Sequence, residues 1–154
     1  GKMSLRIVCL AFLLSAAFGM ARNPGSQAEY VGGTRADIPL HNDGVIQTID
    51  DVYFVFISKQ VQIKIQYERI DLLEYGQNVN RRYIPAALLS PLFLLSKKRE
   101  HFLTLGFQDD GGRQQALIFR IGKNDVRATL VSLEARTGQR VEYQDDDARK
   151  SGKS

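Results

Sequence analysis

His41, in the loop-like stretch "PLHNDG", and His101, at the head of an apolar segment, are the side chains best suited to move a proton or hold zinc near neutral pH. No His-Glu-x-x-His, Gly-x-Ser-x-Gly or phosphate-loop pattern accompanies them, so each reads as a surface or strand-end histidine. Asp50-Asp51 and Asp145 to Asp147 offer paired carboxylates for acid/base work, but both groups sit in turn or tail composition, where carboxylates stay solvated. Asp109-Asp110-Gly111-Gly112 has the residue types of a calcium or phosphate loop. One short acidic turn supplies too few ligands, and Asp with Gly is the chemistry of a tight turn. The chain is therefore expected to have no catalytic residues, no cofactor and no metal.

Cys9, the only cysteine, lies in the N-terminal segment and brings the argument to localisation. Met3-Ser4-Leu5-Arg6 is a short basic start, "IVCLAFLLSAAF" (Ile7 to Phe18) is an apolar run of signal-peptide length, and Gly19 and Ala21 put small residues at −3 and −1 of a cleavage site. Residues 1–21 are read as a secretory signal, with an uncleaved anchor as the alternative. A lipidated Cys9 is disfavoured because Arg6-Ile7-Val8 lacks the small residue expected just before it. The mature chain is then exported, periplasmic or secreted, and has no thiol. Removing Lys2 and Arg6 from the 21 basic residues leaves 19 against 17 acidic ones, so the net charge falls from +4 to +2. A nucleic-acid binder would carry a denser Lys/Arg stripe with aromatic or glycine interleaving, and nucleic acid is excluded as a partner.

With 154 residues, 44% hydrophobic and 25% charged, the chain fits one globular domain. "RNPGSQ" (Arg22 to Gln27) has linker composition, and the boundaries read as a linker over 22–28, a domain over 29–138 and a polar C-terminal tail over 139–154.

Short strands fill the domain. "VQIKIQY" (Val61 to Tyr67) alternates strictly, as a half-buried strand does, and "VYFVFI" (Val52 to Ile57) is apolar on both faces. A hairpin through Ser58-Lys59-Gln60 puts either Phe54 and Phe56 or Tyr53, Val55 and Ile57 on the core side, depending on whether its loop has two or three residues. "HFLTLGF" and "QALIFRI" flank the Asp-Asp-Gly-Gly turn. For Leu105 to face Leu117 and Leu103 to face Phe119 the loop must be odd, which suits a type I turn closed by a glycine bulge. Weaker strands are read at Glu29 to Thr34, Gly44 to Ile49 and Ile70 to Gly76. Lys123 to Thr137 carries a helix with Asn124 as N-cap, Asp125 in the first turn, Gly138 after its end, and a Val126/Leu130/Leu133/Thr137 stripe that wants a sheet to lie on.

The order is thus about seven strands and then a C-terminal helix. Together with "VQIKIQYERIDLLEYG" (Val61 to Gly76), "HFLTLGFQDDGG" (from His101) and "VRATLVSLEARTG" (Val126 to Gly138), it resembles the PH-like or GRAM-like domains of uncharacterised exported bacterial proteins. The resemblance covers Glu29 to Gly138 and rests on strand order and spacing. It implies a mainly β fold, a split barrel of about seven antiparallel strands capped by the helix; lipocalin-like and other small barrels are the competing architectures. It also implies a binding module for lipids, peptides or proteins, without enzymatic activity. Inositide binding does not carry over, since only Arg35 precedes Lys59 where such members use a Lys/Arg pattern.

One stretch fits neither strand nor helix: "RRYIPAALLSPLFLLSKKR", Arg81 to Arg99. As a helix its apolar part, Ile84 to Leu95, would rise about 18 Å against a hydrocarbon core of roughly 30 Å, and Pro85 and Pro91 break a straight helix. Three readings stay open. It covers the spare row of Val52 to Ile57 or an open barrel end, it makes a dimer contact, or it dips into a membrane face. On the last reading Arg81, Arg82, Lys97, Lys98 and Arg99 sit among anionic headgroups, with Leu88, Leu89, Leu92, Phe93, Leu94 and Leu95 inserted. These eleven residues are the candidate membrane or partner contact. The expected function is an exported, non-enzymatic binding module, with a membrane-associating module or an unrecognised enzyme as alternatives. The oligomeric state is left open.

Overall fold

The computed structural model describes residues 25–78, 88–89, 100–144, 149–150 and 152. Among them, strands run over β1 (Ser26–Gly33), β2 (Asn42–Gln47), β3 (Tyr53–Ser58), β4 (Gln62–Gln66), β5 (Ile70–Gly76), β6 (Leu88–Leu89), β7 (Phe102–Gln108), β8 (Gln114–Ile121) and β9 (Glu142–Tyr143). Helix α1 spans Val126–Thr137, and a 3-10 turn at Tyr67–Arg69 joins β4 to β5. Among the described residues the fold is mainly β with one long helix, as the spacing of apolar residues implies.

All the strands belong to one open sheet in the order β4-β3-β2-β1-β8-β7-β5-β9, with β6 paired to β1 off this path. Neighbours are antiparallel except β5 and β9, which run parallel. Two hairpins set the register. Between β3 and β4, Ser58 N–H donates to Val61 O at 2.9 Å, leaving Lys59 and Gln60 as a two-residue loop. Phe54 then opposes Ile65 and Phe56 opposes Ile63, which settles the core side in favour of the phenylalanines. Between β7 and β8, Leu105 faces Leu117 and Leu103 faces Phe119, as expected. Gly112 N–H donates to Asp109 O at 3.0 Å and Asp109 N–H to Arg113 O at 2.9 Å, with Gly112 at φ 75. That is a type I turn followed by a left-handed residue, a conformation glycine adopts without strain.

Phe119 is the centre of the core. Its ring lies 5.0 Å from Phe56, 5.8 Å from Tyr30 and 5.9 Å from Phe54, so side chains of β1, β3 and β8 meet on one face of the sheet. Burying each such ring contributes about 1.5–3 kcal/mol. Val126, Leu130 and Leu133 of α1 join the same cluster, and Thr129 is buried beside them. The chain crosses closely where β1 meets β8: a Cβ at Gly33 would overlap the Ala116 carbonyl oxygen. A register shift between Tyr30 and Gly32 marks a β-bulge there.

Two details of the helix differ from the sequence reading. The N-cap position is Asp125 and not Asn124, because Asp125 N–H closes a turn onto Gly122 O at 2.9 Å and delays the first helical turn to Val126. The Asp125 carboxylate does not cap the helix; it accepts Gln27 N–H at 3.1 Å and ties α1 to the start of β1. Gly138 ends the helix at φ 73, as expected. The chain then continues into the sheet: Val141 is buried, Glu142–Tyr143 add beside β5, and Gly152 is buried where a Cβ would meet Tyr143, Leu130 and Tyr75.

Candidate functional site

A cleft of about 530 Å³ is lined by Glu29, Asp43, Glu100 and Arg120 with the backbone around Ala28 and Ile121–Gly122. Strand parity assembles it. Tyr30 and Phe119 face the core as a cross-strand pair, so their neighbours Glu29 and Arg120, themselves paired, face away from it. Asp43 stands opposite Glu29 on β2, and Glu100 lies just before β7.

Arg120 is the clamp of this cleft. Its Nη1 donates to both oxygens of Glu100, at 3.1 and 3.2 Å, and its Nη2 to Glu29 Oε2 at 3.1 Å. Glu29 and Glu100 are mostly buried and Arg120 is about two-thirds buried, so these charge-assisted bonds are shielded more than a surface pair and fix the carboxylates in place. His41 Nδ1 stands 3.6 Å from Glu29 Oε1. With three carboxylates to one guanidinium, the lining is net acidic.

A second groove, about 350 Å³, lies at the other end of β7, between β4 and the β7–β8 turn. Lys64, Gln66 and Arg69 form one wall and Phe107, Asp109 and Asp110 the other. Asp109 Oδ1 accepts N–H groups of Gly111 and Arg113, both at 2.9 Å, and Oδ2 accepts Gln115 Nε2. These bonds, led by that from Arg113, hold the Asp109 carboxyl below its ordinary range. Asp110 pairs with Arg69 at 2.8 Å.

The residues singled out for chemistry fall into structural roles. Asp50 Oδ1 accepts the N–H groups of Val52 and Tyr53 at 2.7 and 2.9 Å, which lowers its pKa, and Asp51 pairs with Arg136. His101 immediately precedes β7 with Nδ1 2.5 Å from the hydroxyl of buried Tyr75. Burial, aided by Lys123 and opposed by Glu100, lowers the His101 pKa and favours the neutral ring. Asp145 to Asp147 lie outside the described residues. Among the described residues no group of three His, Cys, Asp or Glu is placed to hold a metal ion.

Of the eleven candidate contact residues, only Leu88 and Leu89 are described, as backbone: Leu88 pairs with Gly33 and Leu89 with Gly32. Arg81, Arg82, Leu92, Phe93, Leu94, Leu95, Lys97, Lys98 and Arg99 lie outside the described residues. Among the described residues no helix is long and apolar enough to cross a membrane. Glu29, Glu100 and Arg120 were not readable as a group, since they are far apart in the chain. The one available signal was their place as polar residues next to the apolar positions of β1 and β8. No family model matches the chain, and no curated protein matches it.

Proposed function

We propose that the protein is an exported, non-enzymatic binding module of PH-like topology, and that it meets a cationic group of its partner in the Glu29–Arg120–Glu100 cleft. The strand path supports the topology: β4 to β1 form one consecutive meander, β5, β7 and β8 another, and they join through β1 and β8 before the helix. Fold alone does not give function. The observation that carries the reading is the Arg120 clamp. Carboxylates pinned by a shared guanidinium on neighbouring strands make a preformed acceptor surface, and its excess of acids complements a positive partner. The residue pattern before Arg22 supports export.

The test uses the mature protein, residues 22–154, labelled with ¹⁵N and titrated with hexalysine and hexaglutamate. Hexalysine is expected to shift amides of Glu29, Asp43 and Glu100, with loss of the shifts in Glu29→Gln/Asp43→Asn and in about 0.5 M salt, where surface charges are screened. Shifts spread over other surfaces, or equal response to hexaglutamate, would sink the cleft reading. Cell fractionation with mass spectrometry of the N-terminus checks export: a cytoplasmic chain still beginning at Met3 refutes it.

A further inference from the structure

The edge strand β4 carries a second recognition feature, independent of the acidic cleft. Two hydrogen bonds, Ser58 N–H to Val61 O and Tyr67 N–H to Val52 O, both 2.9 Å, fix which residues of β4 turn their backbone toward β3. In an antiparallel ladder these alternate. Residues 61, 63, 65 and 67 face β3, so Gln62 and Lys64 direct their N–H and C=O groups, and Gln66 its N–H, to the other side, while the Gln66 C=O starts the 3-10 turn. There, among the described residues, no strand pairs with them. The 350 Å³ groove runs beside this row, lined by Lys64, Ile65 and Gln66 of β4 itself.

We infer that β4 accepts an extended acidic peptide as an added antiparallel or parallel strand, held by the outward N–H groups of Gln62, Lys64 and Gln66, by the C=O groups of Gln62 and Lys64, and by one carboxylate on Lys64. The charges of the groove select this occupant. Arg35 is bound to Asp37 through two guanidinium nitrogens, Arg69 to Asp110, and Asp109 to its own turn. Lys64, with its ammonium 5.8 Å over the Tyr53 ring, is the lining cation with no carboxylate in ion-pair range among the described residues. A second copy of the chain is a poor occupant. Antiparallel pairing about the centre of β4 would set Lys64 against Lys64, and like charges directly opposite are destabilising. Main-chain bonds then supply affinity and the Lys64 contact supplies selectivity, the general division of labour in strand addition.

The experiment is hydrogen exchange by NMR on the mature protein with two capped probe peptides, (Glu-Val)4 and (Lys-Val)4. Saturating (Glu-Val)4 is expected to slow exchange of the Gln62, Lys64 and Gln66 amides by about tenfold while residues 63 and 65 change little. (Lys-Val)4 should not protect them. Lys64→Glu, a change at an exposed position, is expected to reverse the preference. The double variant Glu29→Gln/Asp43→Asn should leave the protection intact, which separates this inference from the reading of the cleft. Protection of neither peptide's complex at these three amides, protection by both peptides alike, or an unchanged preference in Lys64→Glu overturns it.

Discussion

Tyr30 shows how one side chain can be essential as a ring and dispensable as a phenol. Its ring is fully buried against Phe119, while its hydroxyl has no hydrogen-bond partner among the described residues. Burial, opposed by Arg35 and reinforced by Asp37, pushes its pKa up to about 12. The phenol is thus harder to ionise in the folded state than in the unfolded one. Its contribution is full below about pH 10 and is lost as pH rises from there through about 12. Tyr30→Phe is expected to match the parent in melting temperature at pH 7, because no bond is broken, and to lose less stability between pH 9 and 11. Tyr67 and Tyr143, also raised by burial, keep part of the alkaline loss. A marked drop in Tyr30→Phe stability at neutral pH would show that the hydroxyl is bonded after all.

At the scale of elements, α1 is held by packing and by two polar ties at its ends. Leu130 and Leu133 are buried in the common core, Asp125 binds Gln27 N–H, and Arg136 reaches Thr48 O, Ile49 O and Asp51. Leu130→Ala should cost about 2–5 kcal/mol in urea unfolding, through lost transfer energy and the cavity left behind. A variant that unfolds like the parent would mean that α1 is not docked on the sheet. The β7–β8 turn is the other self-determined element. Gly112→Ala forces a left-handed conformation on a residue with a Cβ and should cost about 1–2 kcal/mol, while Gly111→Ala, whose Cβ comes no nearer than 3.5 Å to another group, should cost less. Equal losses at the two positions would contradict the turn described here.

Across the whole molecule, the sheet path predicts a gradient of protection. Strands β1, β8 and β7 are paired on both sides and their side chains reach the main core, whereas β4 ends the path and β9 contributes two residues. In the unliganded protein, amides of β1, β7 and β8 are expected to exchange slowest and the outward amides of β4 fastest among the longer strands. Slow exchange at Gln62, Lys64 and Gln66 without any ligand would show that the β4 edge is already occupied.

Local chemistry was enough for the parts of this protein whose partners lie close in the chain. The alternation of Val61 to Tyr67, the leucine pairing across the Asp109-Asp110-Gly111-Gly112 turn and the glycine stop at Gly138 all follow from steric rules that act within a few residues. The β3–β4 loop shows the limit. "VYFVFI" is apolar on both faces, so only the observed register, set by the Ser58–Val61 pair, decides that Phe54 and Phe56 enter the core. The polar look of residues 139–154 likewise hid Val141, which is buried, and Tyr143, whose ring partner Tyr75 on β5 is remote in sequence. The cleft was the least legible of all. Glu29, Glu100 and Arg120 are each an ordinary charged residue on a polar strand face, and their bonds exist because the tertiary pairing of β1 with β8 and β8 with β7 brings three distant segments within reach of one guanidinium.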